Sequence, residues 1–128
     1  MNDNVTKTEF GYEVLWANTE HYSSRILVFD HIGSKTNMSF TKETTKSWFV
    51  NAGELRIRWI DTNTGKLYEN TLREGSVFHV TPLMPVSLEC LYAGSAIAET
   101  ATKHIPEDVY HIIPADNIKA SDNEQSEV

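Results

Sequence analysis

The sequence predicts one all-β domain on three observations. Apolar residues alternate with polar ones in short runs such as "RILVFDHIG", "SWFVNAG", "ELRIRWIDTNTGKLY" and "SVFHVTP". Turn residues punctuate the chain about every ten positions, and no apolar pattern at i, i+3, i+4, i+7 lasts long enough for a major helix. Strand side chains point alternately to the two faces of a sheet, so a period of two is what a half-buried strand requires. With 128 residues and 40% hydrophobic content, the chain can fill one core and not two.

Taken in order, "MNDNVTKT" (1–8) is polar and is expected to be a flexible tail. "FGYEVLWANTEHY" then supplies Phe10, Tyr12, Leu15, Trp16 and Tyr22, more aromatic surface than a first edge strand needs. Self-association would cover such an edge, so a homodimer is expected. The clearest hairpin is "ELRIRWI-DTNTG-KLYENTL", where Leu55, Ile57 and Trp59 alternate with Arg56 and Arg58 before the turn residues Asp61 to Gly65. Turning those arginines inward would expel the apolar trio, at about 1.5–3 kcal/mol for each large apolar side chain exposed. Arg56 and Arg58 are therefore expected on a solvated face or paired with Glu69 or Glu74. In "PEDVYHII", Pro106 suits a first helical position, but the pattern favours a strand. The segment 115–128, "ADNIKASDNEQSEV", holds four acidic residues against one lysine and is expected to be disordered, leaving 9–114 as the domain.

Charge and composition exclude several functions. Eighteen acidic against eleven basic residues give a net charge of -7 without any Lys/Arg run, which argues against nucleic acid or an anionic membrane as a partner. No stretch approaches the ~18 apolar residues of a membrane span, and the N-terminus lacks the apolar run of a leader. The lone Cys90, in "VSLECLY", fits a reducing compartment, so a cytoplasmic protein is expected.

The chemistry-bearing residues follow a frame. Gly33, Ser39, Thr41, Lys46 and Gly53 fit the spacing G-x5-H-x-H-x4-E-x6-G without a gap. From Gly75, the pattern G-x5-P-x-G-x2-H-x3-N falls on Thr81, Leu83, Val86 and Cys90; a one-residue slip puts Pro82 on the proline and Ser87 on the histidine. These are the two motifs of the cupin superfamily, which the chain resembles over roughly residues 9 to 114, with the positions of the metal ligands replaced. The order of strands and turns, the opening "FGYEVLWANTEHYSSRILVF" and the closing "EDVYHIIP" are similar to the stand-alone cupin domain of type II mannose-6-phosphate isomerase-like proteins. The resemblance implies a double-stranded β-helix, that is, a jelly-roll barrel with its site inside.

The replacements bear on function. A first-row metal in such a barrel wants imidazole and carboxylate donors, whereas Ser39 and Thr41 offer weak neutral hydroxyls, Val86 offers nothing and Lys46 brings like charge. No metal or other cofactor is expected there. No two of His21, His31, His79, His104 and His111 are spaced as a local metal pair. By the family frame the cavity is lined by Ser39, Thr41, Lys46, Trp48 and Val50, with Val86 opposite and Arg25 as a further anion contact, a lining suited to a small anionic or polyhydroxylated ligand. The competing reading has Trp48 filling the core and Lys46 in solvent. The expected function is a metal-free binding or structural module for a sugar-like or carboxylate molecule. The alternative is a metal-independent isomerase, epimerase or lyase with His79 or Lys46 as acid/base and Glu99, with Tyr68 or Tyr92, as partner. That alternative requires His79 and Lys46 to share one cavity.

Overall fold

The computed structural model describes residues 4–102 and 105–118; His104, most of the expected C-terminal tail and the first three residues lie outside them. Among the described residues, eleven strands form two antiparallel sheets. One contains β1 (Val5–Lys7), β2 (Gly11–Asn18), β3 (Tyr22–Phe29), β10 (Ser95–Thr102), β5 (Lys46–Ala52) and β8 (Val77–Val80), in that spatial order. The other contains β11 (Tyr110–Ile113), β4 (Met38–Phe40), β9 (Val86–Cys90), β6 (Glu54–Asp61) and β7 (Lys66–Arg73). Their inner faces meet over Leu27, Phe29, Trp48, Ile57, Leu88 and Ile97, all buried. Period-two alternation produces this core directly, because each strand supplies every second side chain to it.

The expected hairpin forms as read. β6 and β7 pair in unbroken register from Glu54↔Arg73 to Asp61↔Lys66, and Asp61 closes the turn by accepting from the amides of Asn63 and Gly65. "YHII", Tyr110–Ile113, is a strand at the sheet edge, as the reading of "PEDVYHII" expects. Two expectations about the ends differ. Val5–Lys7 pairs with β2 instead of fraying, and beyond β11 a short 3-10 helix (Ala115–Asn117) leads to Ile118, which is buried.

That C-terminal segment also explains a correction at Arg58. Facing away from the core, the side chain takes the paired alternative, with Glu69, but it is not on a solvated face: it is only 1% exposed. It shares a hollow with Met38, Ile60, Leu67, Ile113 and Ile118, so the chain beyond β11 lies over the outer face of this sheet. Two carboxylates compensate the buried charge: Arg58 Nε donates to Glu69 at 3.0 Å, and Nη2 lies 2.9 Å from Glu89 Oε1, off the line of a hydrogen bond. Arg56 joins the same two glutamates, whereas Glu74 takes no part in the cluster.

The glycine frame is a backbone frame. Gly53 has φ +78, and a Cβ there would lie 2.1 Å from Ser95 Oγ, so the β5–β6 turn tolerates no side chain. Leu83, on the second motif's glycine position, also holds a left-handed φ of 66. A non-glycine residue pays roughly 1–2 kcal/mol in that region, and Leu83, 54% exposed, recovers little by burial. Leu83→Gly is therefore expected to raise stability by about 1 kcal/mol, net of glycine's larger unfolded-state entropy, in urea denaturation. An unchanged or lower midpoint would refute the strain at this turn.

Candidate functional site

The interior site is built from a cross-strand row. Arg25 on β3 is the direct partner of Glu99 on β10, and Glu99 of Trp48 on β5. All three point inward, because they keep the parity of Leu27, Ile97 and Val50. Lys46 lies two residues from Trp48 and so shares its face. Glu13, on β2, reaches the same point from beside Arg25.

Glu99, 4% exposed, is the centre of the cluster. Its Oε2 accepts from Arg25 Nε at 2.6 Å and its Oε1 from Trp48 Nε1 at 2.7 Å. Arg25 Nη1 also donates to both oxygens of Glu13, at 3.0 and 3.1 Å. Lys46 Nζ stands 3.9 Å from Glu99 Oε1 and 5.5 Å from the centre of the Trp48 ring. Burial alone would push the Glu99 carboxyl up, but the charges of Lys46 and Arg25 and the bonds from Arg25 and Trp48 hold it below the usual range. For Lys46 burial wins over the attraction of Glu99, and its ammonium is pushed down. Arg25 is also penalised by burial, yet Glu99 and Glu13 raise it.

The cluster opens on a cavity of about 130 Å³. Phe10, Leu27 and Leu88 give it apolar walls, and Ser39, Val86, Arg25, Lys46, Trp48 and Glu99 face it. These last six were all named from the sequence: the motif frame placed Ser39, Lys46, Trp48 and Val86, Arg25 was an anion-contact candidate and Glu99 a partner carboxylate of the enzyme alternative. A hollow of about 260 Å³ with Lys35, Asn37 and His111 shares Phe10, Thr36 and Ser39 with that cavity and forms its mouth. Thr41 sits elsewhere, at a smaller hollow behind Lys46, with its hydroxyl donating to the Thr44 carbonyl. The Ser39↔Val86 pairing selects the register in which Val86 faces inward; Ser87 points away and donates to the Thr36 carbonyl.

His79 is not part of the site. Its cross-strand partner is Ser47, on the opposite face from Lys46 and Trp48, and its Nδ1 lies 2.8 Å from the Ser47 hydroxyl in an exposed position. The reason is parity: residues 46 and 48 point inward, so 47 and its partner point outward. Tyr68 stacks on Trp59, and Tyr92 is largely exposed, so neither accompanies Glu99. Lys46 and Trp48 each follow half of the competing readings: Trp48 packs in the core, yet Lys46 faces the cavity. Arg25 already holds two carboxylates, so a ligand anion would compete with Glu99 and Glu13 for it.

Sequence reasoning missed Glu13 and Asp108. The signal for Glu13 was its parity with Leu15 on β2. For Asp108 there was none, because its partners are 64 to 66 residues away. Its carboxylate accepts from the amides of Lys42, Glu43 and Thr44 and from the Thr44 hydroxyl, fixing the β4–β5 loop behind Lys46. Those amide bonds outweigh burial and hold Asp108 below its usual value.

The metal positions of the motif do not fit a first-row metal. Ser39, Val86 and Lys46 place a hydroxyl, a hydrocarbon and an ammonium around the cavity, and Thr41 is engaged with a carbonyl. Among the described residues, no group of three His, Cys, Asp or Glu side chains is disposed to hold an ion. Of the histidines they include, His21, His31, His79 and His111 are all exposed.

Comparison with solved structures places this architecture. CapF in complex with 3-isopropenyl-tropolone superposes with a TM-score of 0.74 at 13% identity, over 85% of this chain and 33% of that one. The chain has the cupin fold. Oxalate decarboxylase from Bacillus subtilis gives 0.75 at 14% identity, over 84% and 29%, and the formate complex of the Lactobacillus farciminis enzyme gives 0.71 at 13%, over 84% and 33%. The chain thus spans about a third of the length of these neighbours. No family model and no curated protein sequence matches it. Among the described residues no helix is long and apolar enough to cross a membrane.

Glu99→Gln keeps the shape of the cluster and removes its central charge, leaving two buried cations short of a partner. The expected cost is about 3 kcal/mol in chemical denaturation. The folded-state carboxyls of Glu99 and Asp108 lie below their unfolded values, about 4.3 and 3.9. Their stabilisation is therefore present above that range and is lost as pH falls through the folded values. The acid limb of a stability–pH profile should be shallower in Glu99→Gln; an identical limb would refute the role of Glu99.

Proposed function

We propose that this cupin-fold chain is a metal-free binding module for a small carboxylate-bearing molecule held in the interior cavity, with Lys46 as its anion contact. The observation that carries the reading is the position of Lys46. Both oxygens of Glu99 accept hydrogen bonds from Arg25 and Trp48, and the Lys46 ammonium stands back at 3.9 Å, with donors available to a ligand oxygen. Phe10, Leu27, Val86 and Leu88 provide an apolar wall, and Ser39 a hydroxyl at the entrance. A cavity of ~150 Å³ holds a benzene-sized guest, so about 130 Å³ suits an acid of a few carbons. A polyhydroxylated, sugar-like ligand, the class suggested by the resemblance to mannose-6-phosphate isomerase-like proteins, would extend into the mouth beside Asn37 and His111.

A second reading, a metal-independent isomerase, epimerase or lyase, keeps one supporting observation. Burial lowers the Lys46 pKa beside Glu99, and an amine closer to neutrality can exchange a proton with a bound substrate. His79 has no place in that scheme.

Titration of the full chain with formate, oxalate, butyrate and benzoate, followed by amide chemical shifts, tests the first reading. Shifts are expected around Ser39, Lys46 and Val86, and Lys46→Met should weaken binding at least ~10-fold, the loss of one charge-assisted contact. Absence of shifts at millimolar ligand, or unchanged binding by Lys46→Met, would overturn it. Elemental analysis of the purified chain is expected to find transition metals well below one per chain, and a stoichiometric metal would overturn the metal-free part of the proposal.

A further inference from the structure

We propose that the hollow on the outer face of the five-stranded sheet is a second binding site, for a small apolar molecule that carries an amide. The amide carbonyl accepts from Arg58, and its N–H donates to Glu89. The site lies across the sheet from the interior cavity and shares no lining residue with it.

Strand register builds the hollow. Arg58 and Ile60 are two residues apart on β6 and so share a face. Ile60 pairs with Leu67 on β7, and Met38 on β4 pairs with Ile113 on β11. Between these two apolar pairs runs β9, whose residue opposite Arg58 is Ser87. A side chain that small leaves space, and its hydroxyl is already engaged, donating to the Thr36 carbonyl at 2.8 Å. Ile118 closes one side. It is held in place because its carbonyl accepts from Lys35 Nζ at 2.6 Å, while the Ala115 amide donates to Asn37 Oδ1 at 2.9 Å. The space enclosed is about 280 Å³, with Met38, Ile60, Leu67, Ile113 and Ile118 as apolar walls and Arg58 among them.

Two side chains in this region lack the partners that burial demands. Nη1 and Nη2 of Arg58 and Oε1 of Glu89 are buried and, among the described residues, have no hydrogen-bond partner. Nε of Arg58 is taken by Glu69, and Nη2 stands 2.9 Å from Glu89 Oε1 but misaligned with it. A buried donor without an acceptor loses its water and gains nothing in return, so such groups are nearly always paired. Here donors and an acceptor are left over side by side. A single group with an acceptor next to a donor satisfies both, and an amide does so with its adjacent C=O and N–H.

Charge and volume select among the alternatives. Arg56 and Arg58 are matched by Glu69 and Glu89, one positive for one negative, so the cluster is neutral as it stands. A carboxylate would bring a third negative charge to Glu89 and has no N–H to give it. A water molecule would satisfy the polar atoms but, at ~30 Å³, would leave the apolar walls unfilled. A cavity of ~150 Å³ holds a benzene-sized guest, so about 280 Å³ suits a body of about six to eight carbons bearing the amide.

Titration of the full chain with hexanamide, hexanoate and methyl hexanoate, followed by amide chemical shifts, tests the site. Hexanamide is expected to give its largest shifts at Arg58, Leu67, Ile113 and Ile118. Hexanoate, which adds charge, and the ester, which lacks the N–H, should bind there at least ~10-fold more weakly. Arg58→Lys keeps the charge but gives up the guanidinium fork, and should weaken hexanamide by at least ~10-fold. Ile118→Ala removes part of the apolar wall without touching the ion pairs, and should weaken it about 5-fold. The ligand series in the unmodified chain decides the question even if Arg58→Lys does not fold. Largest shifts at Ser39 and Lys46 instead, no shifts at millimolar hexanamide, or equal binding of hexanamide and hexanoate at the outer hollow would overturn the proposal.

Discussion

Glu99 is a carboxylate placed where the inner faces of two sheets leave almost no water, and what surrounds it is arranged to keep it charged. Direct strand pairing sets Arg25 and Trp48 on either side of it, each with a donor on one oxygen. A buried charge is tolerated only when its desolvation is offset, and here two cations and an indole N–H offset it together. The same arrangement decides what Lys46 does. With each carboxylate oxygen already accepting one bond, the ammonium stands 3.9 Å away, attracted but not bonded, and lines the cavity.

This cluster borders the cavity that Ser39, Lys46 and Val86, the residues at three of the motif frame's ligand positions, also line. Positive charge is supplied from within the chain, and the glutamate it balances comes from β10, outside both motifs. The backbone of the frame is retained: the turn glycines keep their left-handed conformations, and Leu83 adopts one without being glycine. A scaffold that holds such a conformation against a side chain's preference is determined by its surroundings, here including the 2.6 Å bond from the Leu83 amide to the Thr41 carbonyl.

Much of this was legible in the residues. Alternation gave the strands, Asp61 to Gly65 gave the hairpin, and the glycine spacing placed Ser39, Lys46, Trp48 and Val86 at one cavity. Three points were not legible, for one reason. The alternative that needed His79 and Lys46 in one cavity was left open, because chain position does not fix which sheet face a residue takes. Arg58 pairs with Glu69 on the outer face, one of the two alternatives its position allowed, but its burial depends on the path of residues 113–118. Asp108 reads as one more acidic residue until its three amide partners are brought to it.

The sequence by itself determined the class of fold, the faces of its clearest strands and the chemical identity of the residues at the metal positions, because these depend on local period and on side-chain chemistry alone. The tertiary structure decided which charges meet. Arg25, Glu99 and Trp48 are separated by 23 to 74 residues along the chain and become neighbours through the pairing of β10 with both β3 and β5. Strand order and register are set by how the whole core closes, and no local pattern encodes them.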